Sequence, residues 1–161
     1  MNRLFLIGLL IGISSPLISL AQESDPLWVA TLTDLNDKPV ALQTYKGRPL
    51  VVNFWARWCG PCREEIPDFI RARGKYKGVE LLGIAIDDKT EAVRDFAKAY
   101  EMDYPVLLAK DQGIALMKAL GNTKAGLPYT LVIDRSGRIV QKKMGPMKRA
   151  DIEAGFQQAL K

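Results

Sequence analysis

The chain has 161 residues, of which 48% are hydrophobic and 25% are charged, and its formal net charge is +5. This length allows one domain with a substantial core, and the modest charge, which is not concentrated in a basic run, argues against a nucleic-acid-binding protein. The two cysteines, with no histidine, are too few ligands for an ordinary zinc centre unless carboxylates or a second chain contribute.

The first 21 residues have the layout of a secretory signal peptide. Arg3 precedes an apolar run over 4–13, and the small residues Ser19 and Ala21 fit the cleavage pattern. We expect cleavage after Ala21, which leaves residues 22–161 as a single mature domain. The alternative is an uncleaved membrane anchor, although the apolar stretch is near the lower length limit for spanning a bilayer. Both interpretations place the domain outside the cytoplasm, with the periplasm as the expected compartment.

Two strand-like regions precede the cysteines. Alternating apolar residues over 28–35 and a second run over 40–42, separated by a turn sequence, predict an early β-hairpin. The segment from Leu50 to Ala56 is Val-rich and lacks clean alternation. This pattern is typical of a central parallel strand that is covered on both faces.

The two cysteines follow that strand in the sequence Trp58-Cys59-Gly60-Pro61-Cys62, at the start of a helix-like segment. Thiols at this spacing are within disulfide reach. A helix N-terminus stabilises a thiolate, so we expect the pKa of Cys59 to lie below about 8.5. Cys59 is then the nucleophile, and the less exposed Cys62 resolves the mixed disulfide. The alternatives are an inert disulfide, which stabilises little across so short a loop, and half of a zinc site.

A helix is predicted over 61–73, and one of its glutamates belongs to the inward side. The apolar stripe of this helix comprises Cys62, Ile66, Phe69 and Ile70. Glu65 lies three residues after Cys62 and shares this stripe, whereas Glu64 points to water. A carboxyl group beneath the dithiol has a raised pKa and can transfer protons during exchange. The alternative is a glutamate that only complements the helix dipole.

The remaining chain alternates strands and helices. Strands are predicted over 78–87, 104–109, 129–134 and 138–140, and helices over 90–100, 112–120 and 148–160. The last two strands form a hairpin, and Thr90 is expected to cap its helix. This order implies an α/β fold with a mixed central sheet and helices on both faces. The glycines match neither a dinucleotide nor a P-loop motif, so no cofactor is expected.

Several segments together resemble the thioredoxin superfamily, and most of all its exported TlpA/ResA-like thiol-disulfide oxidoreductases. They are the stretch over 53–59, the pattern over 62–67, an extra strand and helix over about 79–101, and Gly126-Leu127-Pro128-Tyr129-Thr130. The resemblance extends from about Leu27 onward and implies a thioredoxin-like fold with an N-terminal β-hairpin and a strand-helix insert. It also implies that Pro128 is a cis-proline and that Trp58, Leu127 and Pro128 bind substrate, with the Leu127 backbone pairing with a substrate peptide. An ordinary trans proline at a strand start is the alternative.

The resemblance implies a periplasmic reductant of protein disulfides that acts through Cys59 and Cys62. ResA-like proteins carry a glutamate at the position of Glu65, and cytoplasmic thioredoxins carry a buried aspartate where this chain has Asn53. Similar proteins keep apocytochrome c cysteines reduced for haem attachment. The implied partners are a protein disulfide substrate and a membrane thiol electron donor of the DsbD/CcdA kind, and we expect a monomer.

Other functions use the same cysteine pair. A dithiol oxidase would run the exchange in the opposite direction. A Cu(I)-binding module would use both sulfurs as soft ligands, although no histidine is present and no methionine adjoins the pair. A recognition module that keeps the fold without catalysis is the third alternative, and the intact Cys-x-x-Cys motif argues against it. We expect no resident metal ion in this protein.

Overall fold

The computed structural model describes residues 25–87 and 89–161. The predicted leader, residues 1–21, lies outside these ranges. Within them, no helix has both the length and the apolar character needed to cross a bilayer.

Seven strands in the described part of the chain form one mixed sheet. They are β1 (Thr31–Asp34), β2 (Pro39–Ala41), β3 (Leu50–Trp55), β4 (Glu80–Ala85), β5 (Val106–Leu108), β6 (Tyr129–Ile133) and β7 (Ile139–Met144), in the spatial order β2-β1-β5-β4-β3-β6-β7. Strand β3 is central, and all six of its residues are buried. It pairs in parallel with β4 and antiparallel with β6. The sequence therefore predicted its burial correctly, but only one of its two neighbours is parallel.

The helices cover both faces of this sheet, as the sequence predicted. They are α1 (Pro26–Val29), α2 (Gly60–Lys75), α3 (Thr90–Ala99), α4 (Gly113–Ala119) and α5 (Arg149–Ala159), with 3-10 turns at Leu42–Tyr45 and Lys110–Gln112. Buried side chains of α2, α3 and α5 belong to one hydrophobic cluster, and those of α1 and α4 belong to another. Strand β3 supplies Val51 and Trp55 to the first cluster and Val52 and Phe54 to the second. Its alternating side chains thus separate two cores.

The first strand begins later than the sequence predicted. Residues 26–29 form the short helix α1, because Pro26 occupies its first turn and the Asp25 carboxylate accepts a hydrogen bond from the Leu27 N–H at 2.9 Å. Leu27 and Trp28 are both buried in one cluster. Consecutive residues of a strand point to opposite faces, so a helical turn satisfies this shared burial better.

The predicted cap of α3 is also wrong. Thr90 is the first residue of the helix, and Lys89 occupies the cap position without a side-chain hydrogen bond. The Thr90 hydroxyl instead donates to Asp37 Oδ1 at 2.7 Å. A contact with the distant turn between β1 and β2 therefore occupies the Thr90 hydroxyl that local sequence assigns to capping the helix.

Candidate active site

The two cysteines form a disulfide at the N-terminus of α2. Their Cα atoms are 5.3 Å apart, and the bond closes between Cys59 at the cap position and Cys62 in the first turn. The Cys62 N–H donates to Cys59 Sγ at 3.3 Å. Sequence spacing therefore identified the pair and its place in the fold correctly.

The two sulfur-bearing residues differ in access to solvent. Cys59 is 6% exposed and Cys62 is 0% exposed. The indole of Trp58, next to Cys59, is 69% exposed. This order, with Cys59 outermost, agrees with the expectation from the sequence, and Trp58 offers an apolar surface beside it.

Glu65 lies on the buried side of α2, as its spacing from Cys62 predicted. It is 3% exposed, whereas Glu64 is exposed. Asn53 Nδ2 donates to Glu65 Oε1 at 2.9 Å, and the Met147 backbone N–H donates to Oε2 at 3.0 Å. Burial raises the pKa of Glu65 to about 7, against the opposing effect of these two donors. Glu65 therefore exchanges a proton near neutral pH.

Two partners in this cluster were missed by sequence reasoning. Asn53 Nδ2 also donates to Thr130 Oγ1 at 3.1 Å, because β3 and β6 are in register at these two residues. Met147 reaches Glu65 from the segment that joins β7 to α5. The local signal for that segment is Gly145, which has a φ of +80° and is followed by a proline. It marks a turn, but it does not identify a partner 82 residues away.

The Leu127–Pro128 peptide bond is cis. Tyr129, the next residue, is opposite Phe54 in the sheet, so Pro128 lies at the edge of the sheet where β3 ends and the cysteine loop begins. The Pro128 carbonyl accepts a hydrogen bond from the Gly145 N–H at 2.9 Å. In contrast, the Leu127 amide and carbonyl make no hydrogen bond with the residues that the structure describes.

The loop between β3 and the cysteines is held by a buried carboxylate. Asp87 Oδ2 accepts from the Arg57 backbone N–H at 3.0 Å, and Oδ1 lies 3.1 Å from Arg57 Nε. Asp87 follows β4 and is buried, so this hydrogen bond and the ion pair tie two neighbouring strand ends together. Sequence analysis assigned Asp87 only to the end of a strand and missed this role.

Comparison with known proteins agrees with this geometry. The family model described as Redoxin matches residues 22–160. A thiol-disulfide oxidoreductase ResA of Bacillus cereus is 35% identical over 129 residues, which cover 78% of this chain and 72% of the relative. The chain belongs to the Redoxin family, as a ResA-like thiol-disulfide oxidoreductase. ResA of Bacillus subtilis (strain 168) is 31% identical over 123 residues, which cover 75% of this chain and 66% of the relative.

A solved structure supports the same fold for this ResA-like protein. The thiol:disulfide interchange protein of the thioredoxin family from Chlorobium tepidum TLS is 30% identical, with a TM-score of 0.68 over 81% of this chain and 92% of that one. The predicted thioredoxin-like fold and membership of the superfamily are therefore confirmed. A ResA-like oxidoreductase with this site can exchange electrons with a disulfide through its cysteine pair.

Proposed function

We propose that the protein is an exported reductant of protein disulfides, with Cys59 as nucleophile and Cys62 as resolving thiol. The observation that carries this proposal is the disulfide at the tip of α2, with Cys59 outermost and Cys62 fully buried. In the reduced protein, the Cys59 thiolate attacks a substrate disulfide, which gives a mixed disulfide and releases one substrate thiolate. Cys62 then attacks Cys59 Sγ, re-forms the internal disulfide and releases the second substrate thiolate. The substrate gains two electrons and the protein loses two.

The environment of Cys59 favours its thiolate. The Cys62 N–H already points at Cys59 Sγ at 3.3 Å, and the N-terminus of the sixteen-residue helix α2 adds the positive end of its dipole. Both effects stabilise the negative charge of the Cys59 thiolate once the disulfide is reduced. Cys62 receives neither benefit to the same degree, because it is one turn further inside the helix.

Glu65 serves as the proton acceptor for the resolving step. Cys62 must lose its proton before it attacks, and Glu65 lies at i+3 on the same buried face of α2. With a pKa of about 7, the carboxylate takes up this proton readily at neutral pH and returns it when the pair is reduced again.

In this proposal, a substrate peptide binds as an added strand beside Leu127. The backbone groups of Leu127 have no partner among the described residues, and they lie before the cis-proline at the cysteine edge of the sheet. An extended peptide can satisfy these groups with main-chain hydrogen bonds. The exposed Trp58 then covers apolar side chains that flank the substrate disulfide.

The cellular setting is part of the same proposal. A leader over residues 1–21 directs the domain to the periplasm, where a membrane thiol donor of the DsbD/CcdA kind returns two electrons to the Cys59–Cys62 disulfide. Apocytochrome c cysteines are the proposed substrate, and the protein acts as a monomer. The layout of the leader and the resemblance to ResA-like proteins support these assignments.

Trapping tests the assignment of the two cysteines. Cys62→Ser should accumulate a mixed disulfide with a substrate protein, because the attacking sulfur remains and the resolving one is gone. The matched variant Cys59→Ser should trap nothing. The opposite outcome, with the adduct only in Cys59→Ser, would overturn the roles of nucleophile and resolving thiol.

The redox equilibrium with glutathione tests the direction of exchange. A reductant keeps its disulfide largely oxidised at glutathione ratios that fully reduce an oxidase. If the Cys59–Cys62 disulfide is reduced as readily as that of a strong oxidase, the protein is a dithiol oxidase instead.

A further inference from the structure

Both oxygens of the Glu65 carboxyl group face N–H donors. Oε1 accepts from the Asn53 amide and Oε2 accepts from the Met147 backbone, at 2.9 and 3.0 Å. This arrangement satisfies the ionised carboxylate. In the neutral acid one oxygen becomes an O–H donor, and neither of these two N–H groups can accept its proton.

Only one of these two donor groups can present a hydrogen-bond acceptor to Glu65 instead. The Met147 N–H belongs to the backbone and remains a donor in every state. The Asn53 amide can turn by half a rotation about its last side-chain bond, which replaces Nδ2 by Oδ1 in front of Glu65. The Thr130 hydroxyl, the other partner of Asn53 Nδ2, can accept or donate and is compatible with both orientations.

An acceptor for the proton is already present in the cluster. Asn53 Oδ1 is buried and has no hydrogen-bond partner among the described residues. A buried acceptor without a partner costs free energy and is rare in folded proteins. The half rotation turns this oxygen toward Glu65 Oε1, where it can accept the proton, and moves Nδ2 to the position that Oδ1 held.

We infer that Asn53 is a positioning residue that binds Glu65 in both protonation states, donating to the carboxylate and, after a half rotation, accepting from the protonated Oε1. The proton is thereby confined to Oε1, while Oε2 stays bound to Met147. The inference rests on the proposed function only in its consequence for catalysis, which is that the proton from Cys62 has one defined location.

The surroundings of Glu65 leave few other titrating groups. Asn53, Thr130 and Met147 do not titrate. Cys59 and Cys62, on its own helix, do not titrate while they form the disulfide. The buried Tyr104 hydroxyl senses the charge of Glu65, but burial first, and then the charges of Asp103 and Glu65, raise the pKa of Tyr104, so it stays protonated at neutral pH. The oxidised protein therefore isolates the titration of Glu65.

Nuclear magnetic resonance of the oxidised protein between about pH 5 and about pH 9 tests the rotation. The carboxyl carbon of Glu65 reports its protonation, and the Overhauser effect between the Asn53 amide protons and Thr130 reports the orientation of the amide. We expect this effect to be strong at high pH and to fall several-fold at low pH, with the same midpoint as the Glu65 signal. In Glu65→Gln it should not depend on pH, whereas Glu64→Gln should behave like the wild type.

Two results would overturn the inference, and they differ in what else they affect. If Glu65 titrates while the Asn53 effect stays constant, the amide does not rotate, and the proposed proton role of Glu65 stands. If Glu65 remains ionised over the whole range, the rotation and the proton role are both wrong.

Discussion

Strand β3 buries a polar residue among apolar ones on one face, whereas its other face is apolar throughout. On the face toward α2, Asn53 is buried and its amide contacts Glu65 and Thr130. On the face toward α4, Val52 and Phe54 belong to a cluster of apolar side chains. Residues on both faces belong to the same buried strand. The two faces therefore differ only in their side chains.

This contrast separates chemistry from stability within one strand. Burying a polar group costs free energy unless it is hydrogen-bonded, and Asn53 Oδ1 has no partner in the described part of the chain. The apolar face gains free energy from burial alone. We therefore expect changes near the dithiol to affect activity and its pH dependence, and changes on the α4 face to affect the free energy of unfolding.

The largest effect is expected from Cys59→Ser, which removes the proposed nucleophile on the α2 face. Reduction of a model protein disulfide, with dithiothreitol as electron donor, should fall to the uncatalysed rate. The fold should persist, because so short a disulfide loop constrains the unfolded chain little. Thermal unfolding of the variant, compared with the reduced wild type, provides the control. Activity that survives the substitution would contradict the assignment of Cys59.

Phe54→Ala should have the largest effect on the opposite face. The ring is fully buried and packs against Tyr129 with centroids 5.8 Å apart. Its loss should lower the free energy of unfolding by about 3–5 kcal/mol, from lost burial and from the cavity. Urea denaturation measures this change, and the folded variant should keep its rate of disulfide reduction at low temperature. A loss below about 1 kcal/mol would show that this face does not carry the stability assigned to it.

Glu65→Gln should change how stability depends on pH. The pKa of Glu65 is raised from an ordinary 4.5 to about 7, so the folded protein binds the proton more tightly than the unfolded chain. The stabilising contribution is complete below about pH 4.5 and is lost as the pH rises to about 7, a decrease of about 3 kcal/mol. Denaturant unfolding of the oxidised protein across this window should show the decrease in the wild type and not in Glu65→Gln.

Glu64→Gln is the matched control for that prediction. Glu64 is adjacent in sequence but exposed, so its variant should follow the wild-type pH dependence. Equal pH dependence in Glu65→Gln and the wild type would mean that Glu65 titrates alike in the folded and unfolded chains.

The smallest effects come from two neighbours on β6 that face opposite cores. Thr130→Val removes the hydroxyl that pairs with Asn53, and Tyr129→Phe removes a hydroxyl that donates to the Leu120 carbonyl at 2.8 Å. Each substitution should cost about 1 kcal/mol in the free energy of unfolding. Only Thr130→Val should also shift the pH profile of disulfide reduction, because it alone touches the partners of Glu65. A similar shift in both variants would remove the distinction between the two faces.

Local pattern was sufficient for the features that depend on neighbours in sequence. The burial of β3, the position of the cysteine pair at the start of a helix and the inward direction of Glu65 all follow from spacing along one element. The cis-proline and the thioredoxin-like fold were expected from the resemblance. These predictions agree with the structure in the positions of the cysteine pair and Glu65 at one helix.

The remaining features depend on contacts between distant segments. The pairing of Asn53 with Thr130 requires the register of β3 and β6, and the contact of Met147 with Glu65 spans 82 residues. Local sequence predicts Thr90 as a cap because it cannot reveal that the Thr90 hydroxyl binds Asp37. Local sequence also predicts Trp28 as part of a strand, because it cannot reveal that Trp28 and its neighbour Leu27 are buried in the same cluster.

The contact between Met147 and Glu65 also sets the order in which the centre is completed during synthesis. The ribosome makes both cysteines more than eighty residues before Met147, and helix α5 comes later still. This helix packs Ile152 and Phe156 into the hydrophobic cluster that contains the cysteines. A nascent chain therefore carries both thiols through translation without the backbone donor that holds the carboxylate. The Met147 N–H can bind Glu65 only when this late segment has been made and has docked.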